Sequence, residues 1–200
     1  MLARMKIRLD FVVVLALVLF AIPTSFAINA SFLVSTLLFF GVPSLYLLFR
    51  QKGQFKRIFT ASVLFGIFYG FLLDYMAELN SAWAWADTQQ LVFPYKIFGV
   101  VTIDVMIWFF LWVFFMVVFY EHFLEHERKD AISPNIKYGI IPPLVGFAVI
   151  GAFNLINPGF LEIRYAYLVL GILTLPFFIY TIKKNPTLLL KFFKASLFFA

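Results

Sequence analysis

Three carboxylates stand where a chain this apolar should not carry them. Asp74 and Glu78 lie four residues apart at the end of one hydrophobic stretch, and Asp104 lies within the next. Residues four apart share a helical face. A carboxyl group inside a membrane span is costly, and such groups mark functional positions facing a bundle interior. Between them come Asn80, Trp83 and Trp85, with Trp108 one turn beyond Asp104. Together these residues form the one polar, indole-bearing cluster that adjoins the third and fourth hydrophobic stretches. Asp104, Asp74 and Glu78 are the candidate catalytic residues, and Trp83, Trp85, Asn80 and Trp108 the candidate substrate contacts.

Two other patterns compete. Asp74-x-x-x-Glu78 has the look of the paired carboxylates with which intramembrane prenyltransferases hold magnesium and diphosphate. No second acidic cluster accompanies it, and magnesium wants a near-octahedral set of oxygens. His122-x-x-Glu125-His126 fits a zinc-peptidase motif, but no third ligand is near, and the segment reads as the solvated exit of a helix. No metal is expected. There is no glycine-rich dinucleotide fingerprint, so no bound flavin or nicotinamide is expected either.

The elements that must position these residues are membrane helices. Of 200 residues, 64% are hydrophobic and 13% charged, and the mean hydropathy is +0.97. A soluble chain keeps about a quarter of its residues charged. The hydrophobic segments fall near 11–27, 31–49, 58–76, 98–120, 139–155 and 164–182, which places Asp104 about two turns inside the fourth. The fold expected is all-α, a polytopic transmembrane bundle of six spans. An apolar stretch from Leu188 begins an incomplete seventh. Backbone groups in lipid must bond within their own segment, which selects helices.

The net charge of +6 is a topology signal. All but two of the 16 basic residues, Lys96 and Arg164, fall on one side when the helices alternate. The positive-inside rule then puts the N-terminus in the cytoplasm. No basic patch carries stacking aromatics, so nucleic acid is not an expected partner. The first segment also has the layout of a signal peptide; we read it as a retained helix. The absence of cysteine excludes disulfide and thiolate chemistry.

At Asp74-x-x-Ala77, Trp83, Trp85 and Gly99-Val-Val-Thr-Ile-Asp104, the chain resembles the integral-membrane lycopene cyclase domain, of the heterodimeric or fused type in carotenoid biosynthesis. The likeness spans residues 31–125, one family repeat. It departs at Thr102, where the family has proline, and at Val105, where the family has its second acidic residue. The resemblance implies a redox-neutral, acid-catalysed closure of the end group of a linear carotenoid, an isomerase activity. It implies that a neutral Asp104 supplies the proton, that Asp74 or Glu78 holds Asp104 or takes the final proton, and that Trp83, Trp85 or Trp108 steadies the cation by about 0.5–2 kcal/mol each. It divides the chain into an N-terminal helix (1–28), a three-helix repeat (29–126), a cytoplasmic connector (127–137) and the start of a second repeat (138–200). It implies the lipid bilayer and a linear carotenoid or other isoprenoid as partners, a homo- or hetero-oligomer supplying a second repeat, and a prokaryotic cytoplasmic membrane as location. Magnesium-dependent prenyl transfer and a non-catalytic membrane subunit are the alternatives.

Overall fold

A computed structural model of the chain describes residues 2–51, 54–83, 90–124, 136–184, 186, 189–190 and 193–194. It is built from helices. They are α1 (Leu2–Ala27), α2 (Phe32–Arg50), α3 (Phe55–Leu79), α4 (Ile103–Phe123), α5 (Ile136–Ile156) and α6 (Ala166–Lys184). Among the described residues, five helices are long and apolar enough to cross a membrane: Ile7–Ala27, Phe32–Arg50, Phe55–Leu79, Ile103–Phe123 and Gly139–Ile156. Their outward faces carry large apolar side chains such as Phe20, Phe26 and Phe49, which lipid solvates and water does not.

The central contact joins α3 to α4. Gly66 and Gly70 lie one turn apart on α3, and a Cβ added at Gly66 would sit 2.7 Å from the Phe110 Cα. Small residues at four-residue spacing let two membrane helices approach to backbone contact, where dispersion and not water exclusion drives association. This stretch of α3, Val63–Tyr69, is wound as a π-helix. So is Leu37–Gly41 of α2, which ends two residues before Pro43. A proline ring collides with the carbonyl four residues earlier and donates no hydrogen bond to it, and a wider turn relieves that collision.

Two apolar clusters fill the interior. One gathers Phe71, Tyr75, Met76, Val101, Met106, Ile150 and Leu161. The other gathers Val14, Leu47, Ile58, Phe114, Val118 and Phe119. Polar side chains stitch the helices as well: Asn154 on α5 donates to the Tyr75 hydroxyl on α3 at 2.6 Å, and the Tyr69 hydroxyl donates to the Gly139 carbonyl at 3.0 Å.

The main departure from expectation concerns the fourth span. Residues 98–102 are not helical. Lys96–Ile97 (β1) and Val101–Thr102 (β2) form a short antiparallel hairpin, whose turn uses left-handed backbone at Phe98 and Gly99 (φ 49° and 72°). The helix begins only at Ile103, so Asp104 stands in its first turn and not two turns deep. The third span runs longer than the apolar run suggested, to Leu79. The fourth likewise continues through Phe123. Of the expected connector, 127–135 lies outside the described residues and Ile136 and Lys137 begin α5; Leu188 and most of the stretch after it also lie outside them.

Candidate functional site

Helix α3 ends so as to turn the chain back upon itself. Ser81 adopts left-handed backbone (φ 51°). The Ala82 N–H donates to the Ala77 carbonyl at 2.9 Å, and the Ser81 N–H to the Glu78 carbonyl at 3.0 Å. This is a Schellman closure, which satisfies carbonyls that have no partner within the helix. The reversal brings Trp83 back against α3, where its indole Nε1 donates to Asp74 Oδ1 at 3.0 Å. Asp74 is completely buried, although it sits on a helix whose neighbour Leu73 is exposed.

Aromatic rings surround this pair. Trp83 lies 5.6 Å from Tyr167 of α6 and 6.4 Å from Phe109 of α4. Phe109 meets Trp108 edge-on at 4.9 Å, and Trp108 stacks on Trp112 at 5.4 Å. Trp108 thus belongs to the same run of rings as Trp83, joined through Phe109. Glu78 is one turn beyond Asp74 and half-buried. Trp85 lies outside the described residues.

Asp104 is also fully buried, but its surroundings differ. Its Oδ2 accepts from the Val92 N–H at 2.7 Å and its Oδ1 from the Phe93 N–H at 2.9 Å. Both oxygens are thereby committed to the segment leading into the hairpin. A carboxylate that accepts backbone N–H groups forms bonds stronger than neutral ones, and it replaces the sheet or helix partners those groups lack. The side chain is the anchor of the loop.

Asn80 likewise turns out to be an organiser. Its Oδ1 accepts from the Ile163 N–H, and its Nδ2 donates to the Leu161 carbonyl at 3.1 Å and to the Met76 carbonyl at 2.8 Å. The amide pins the segment preceding α6 to the end of α3. Beside this junction lies an open pocket of about 700 Å³, whose wall includes Ser81, Glu162, Arg164, Tyr165 and Tyr167.

A second polar cluster occupies the opposite end of the bundle, and the sequence reading missed its centre. Asp10 of α1, 2% exposed, accepts from the Tyr46 hydroxyl at 2.7 Å and the Arg50 Nε at 2.9 Å. His122 Nε2 lies 2.9 Å from its other oxygen. Three helices meet at this one carboxylate. Arg57 pairs with Glu121 close by, and the Gln51 amide donates to the Val118 carbonyl at 3.1 Å. The histidine is therefore no solvated helix exit; its side chain is 11% exposed. Glu125 and His126 of the zinc-like motif lie outside the described residues. The available signal was Asp10 itself, an acid at the edge of an apolar run. Beginning that span at Phe11 set it aside. Among the described residues, no three His, Cys, Asp or Glu side chains gather as a metal site.

Comparison with family models, with curated proteins and with solved structures finds no match to the chain.

Proposed function

We propose that this membrane protein cyclises an end group of a linear carotenoid or related isoprenoid, by a redox-neutral reaction with Asp74 as the acid. The observation that carries this reading is Asp74 itself, a carboxyl group wholly buried in an apolar helix and held by the Trp83 indole among aromatic rings. The resemblance to the lycopene cyclase domain points to the same residues.

The chemistry balances within the chain. A protonated Asp74 delivers its proton to a terminal C=C bond, leaving a tertiary cation. The neighbouring C=C attacks that cation and closes a six-membered ring. Loss of a proton from the adjacent carbon to Glu78, or back to Asp74, restores a neutral alkene. No electrons are gained or lost. Burial is the usual device for keeping a carboxyl group protonated near neutral pH, and the rings of Trp83, Tyr167 and Phe109, which lie together, are the source of π-density for the cation in this reading. Asp104 takes a positioning role here, since both its oxygens hold the adjoining loop.

In this reading α6 is the sixth span, the N-terminus is cytoplasmic and the Asp74 cluster faces the outside of a prokaryotic cytoplasmic membrane. A second copy or a partner chain supplies the other repeat. Reporter fusions after Ser81 and after Leu124 test the topology: the first should report outside and the second inside. The activity is tested by expressing the chain in cells that accumulate lycopene and separating the pigments. Cyclised product that disappears in Asp74→Asn supports the reading. Unaltered lycopene, with the protein folded in the membrane, overturns it in favour of a non-catalytic subunit. Magnesium-dependent consumption of prenyl diphosphate would replace it with prenyl transfer.

A further inference from the structure

The pocket before α6 is walled by the short connection between a single 3₁₀ turn, Pro158–Leu161, and the start of α6. Leu161 is buried in the apolar core and Ile163 packs against it. Glu162 and Arg164 line the pocket on either side of Ile163, which reaches both the core and the pocket wall. Glu162 has extended φ and ψ of −76° and 95°, between that 3₁₀ turn and the turn at Arg164 and Tyr165. Asn80 fixes the register by bonding the backbone of Leu161 and Ile163. An acid and a base two residues apart thus share one pocket wall. Among the described residues neither closes into an ion pair; Arg164 instead lies 5.2 Å over the Tyr165 ring.

Arg164 is also one of just two basic residues that break the charge asymmetry of the chain, so the positive-inside rule does not account for it. The remaining wall is amphipathic, with Leu79 and Leu168 beside Tyr165 and Tyr167. About 700 Å³ falls within the usual range for a small-molecule site. A ligand that fits carries both charges at short range on an apolar body.

We propose that this pocket binds the headgroup of phosphatidylethanolamine, with its phosphate on the Arg164 guanidinium and its primary ammonium on the Glu162 carboxylate. Arginine matches phosphate oxygens with two parallel N–H donors, and the ammonium N–H groups give Glu162 charge-assisted bonds that a quaternary choline lacks. A net-anionic headgroup meets Arg164 but is repelled by Glu162. The placement in the outer leaflet rests on the topology proposed above; the binding chemistry does not depend on the cyclase reading.

The test uses the full chain purified in detergent and titrated with phosphatidylethanolamine, phosphatidylcholine and phosphatidylglycerol of matched acyl chains, followed by native mass spectrometry. Phosphatidylethanolamine should bind about fivefold more tightly than either competitor, the preference expected of one partly solvated charge contact. Glu162→Gln should abolish that preference, and Arg164→Gln should weaken all three lipids. Both side chains are exposed, so the variants should melt as the parent does, and melting curves establish that they are folded. Equal binding of the three lipids by the parent, or a preference that survives Glu162→Gln, overturns the proposal. Pigment conversion is a separate readout, so the two ideas stand or fall independently.

Discussion

Asp74 and Asp104 are both carboxylates, both wholly buried, yet their neighbours assign them opposite responses to the same substitution. In Asp104→Asn one acceptor oxygen becomes an amide NH₂, which must then face either the Val92 or the Phe93 N–H, a donor against a donor. One charge-assisted bond is lost and one backbone group is left unsatisfied, at a cost of about 2 kcal/mol. For a chain of 200 residues that is a fall of roughly 4–8 °C in melting temperature. In Asp74→Asn the amide oxygen can still accept from Trp83 Nε1, so the loss should stay below about 1 kcal/mol. Activity should respond in the reverse order. Removing a general acid costs about 10²–10⁴-fold in rate, so Asp74→Asn should be folded and inactive. Asp104→Asn should be less stable but active below its melting temperature. Differential scanning fluorimetry in detergent and pigment conversion in lycopene-accumulating cells measure the two quantities. A stable, inactive Asp104→Asn beside an active Asp74→Asn would refute the assignment of acid and anchor.

Other consequences follow from the packing. Gly66→Ala places a methyl group against the Phe110 backbone and should cost about 1–3 kcal/mol, whereas Gly171→Ala, with open space at the same atom, should be neutral or stabilising; paired melting curves compare them. Asp10→Ala removes the common acceptor of Tyr46, Arg50 and His122. Because the Arg50 side chain is 40% exposed, the loss should be roughly 2 kcal/mol and not the larger figure of a fully buried pair, and α1 should become more accessible to protease. Asn80→Ala removes three bonds to backbone and should lower the melting temperature by about 3–6 °C, while abolishing the lipid preference at Glu162 and Arg164.

Composition and hydropathy alone determined that the chain is helical and apolar enough to enter a membrane. A stretch of some 20 apolar residues has no other way to satisfy its backbone in lipid, so the helices were legible without any tertiary information. The cost of a buried carboxylate also marked Asp74 and Asp104 in advance. Hydropathy does not distinguish a hairpin of Ile, Phe and Val from the helix it adjoins, so the start of α4 was placed five residues early and Asp104 too deep. Whether a carboxylate faces an indole or two backbone N–H groups depends on a loop returning across a helix end, and no local pattern encodes that. The same holds for Asp10. Its partners are 36, 40 and 112 residues away in sequence, and only the packing of α1, α2 and α4 brings them to one point. Residue type fixed which positions are costly to bury; tertiary structure decided what each of them is buried against.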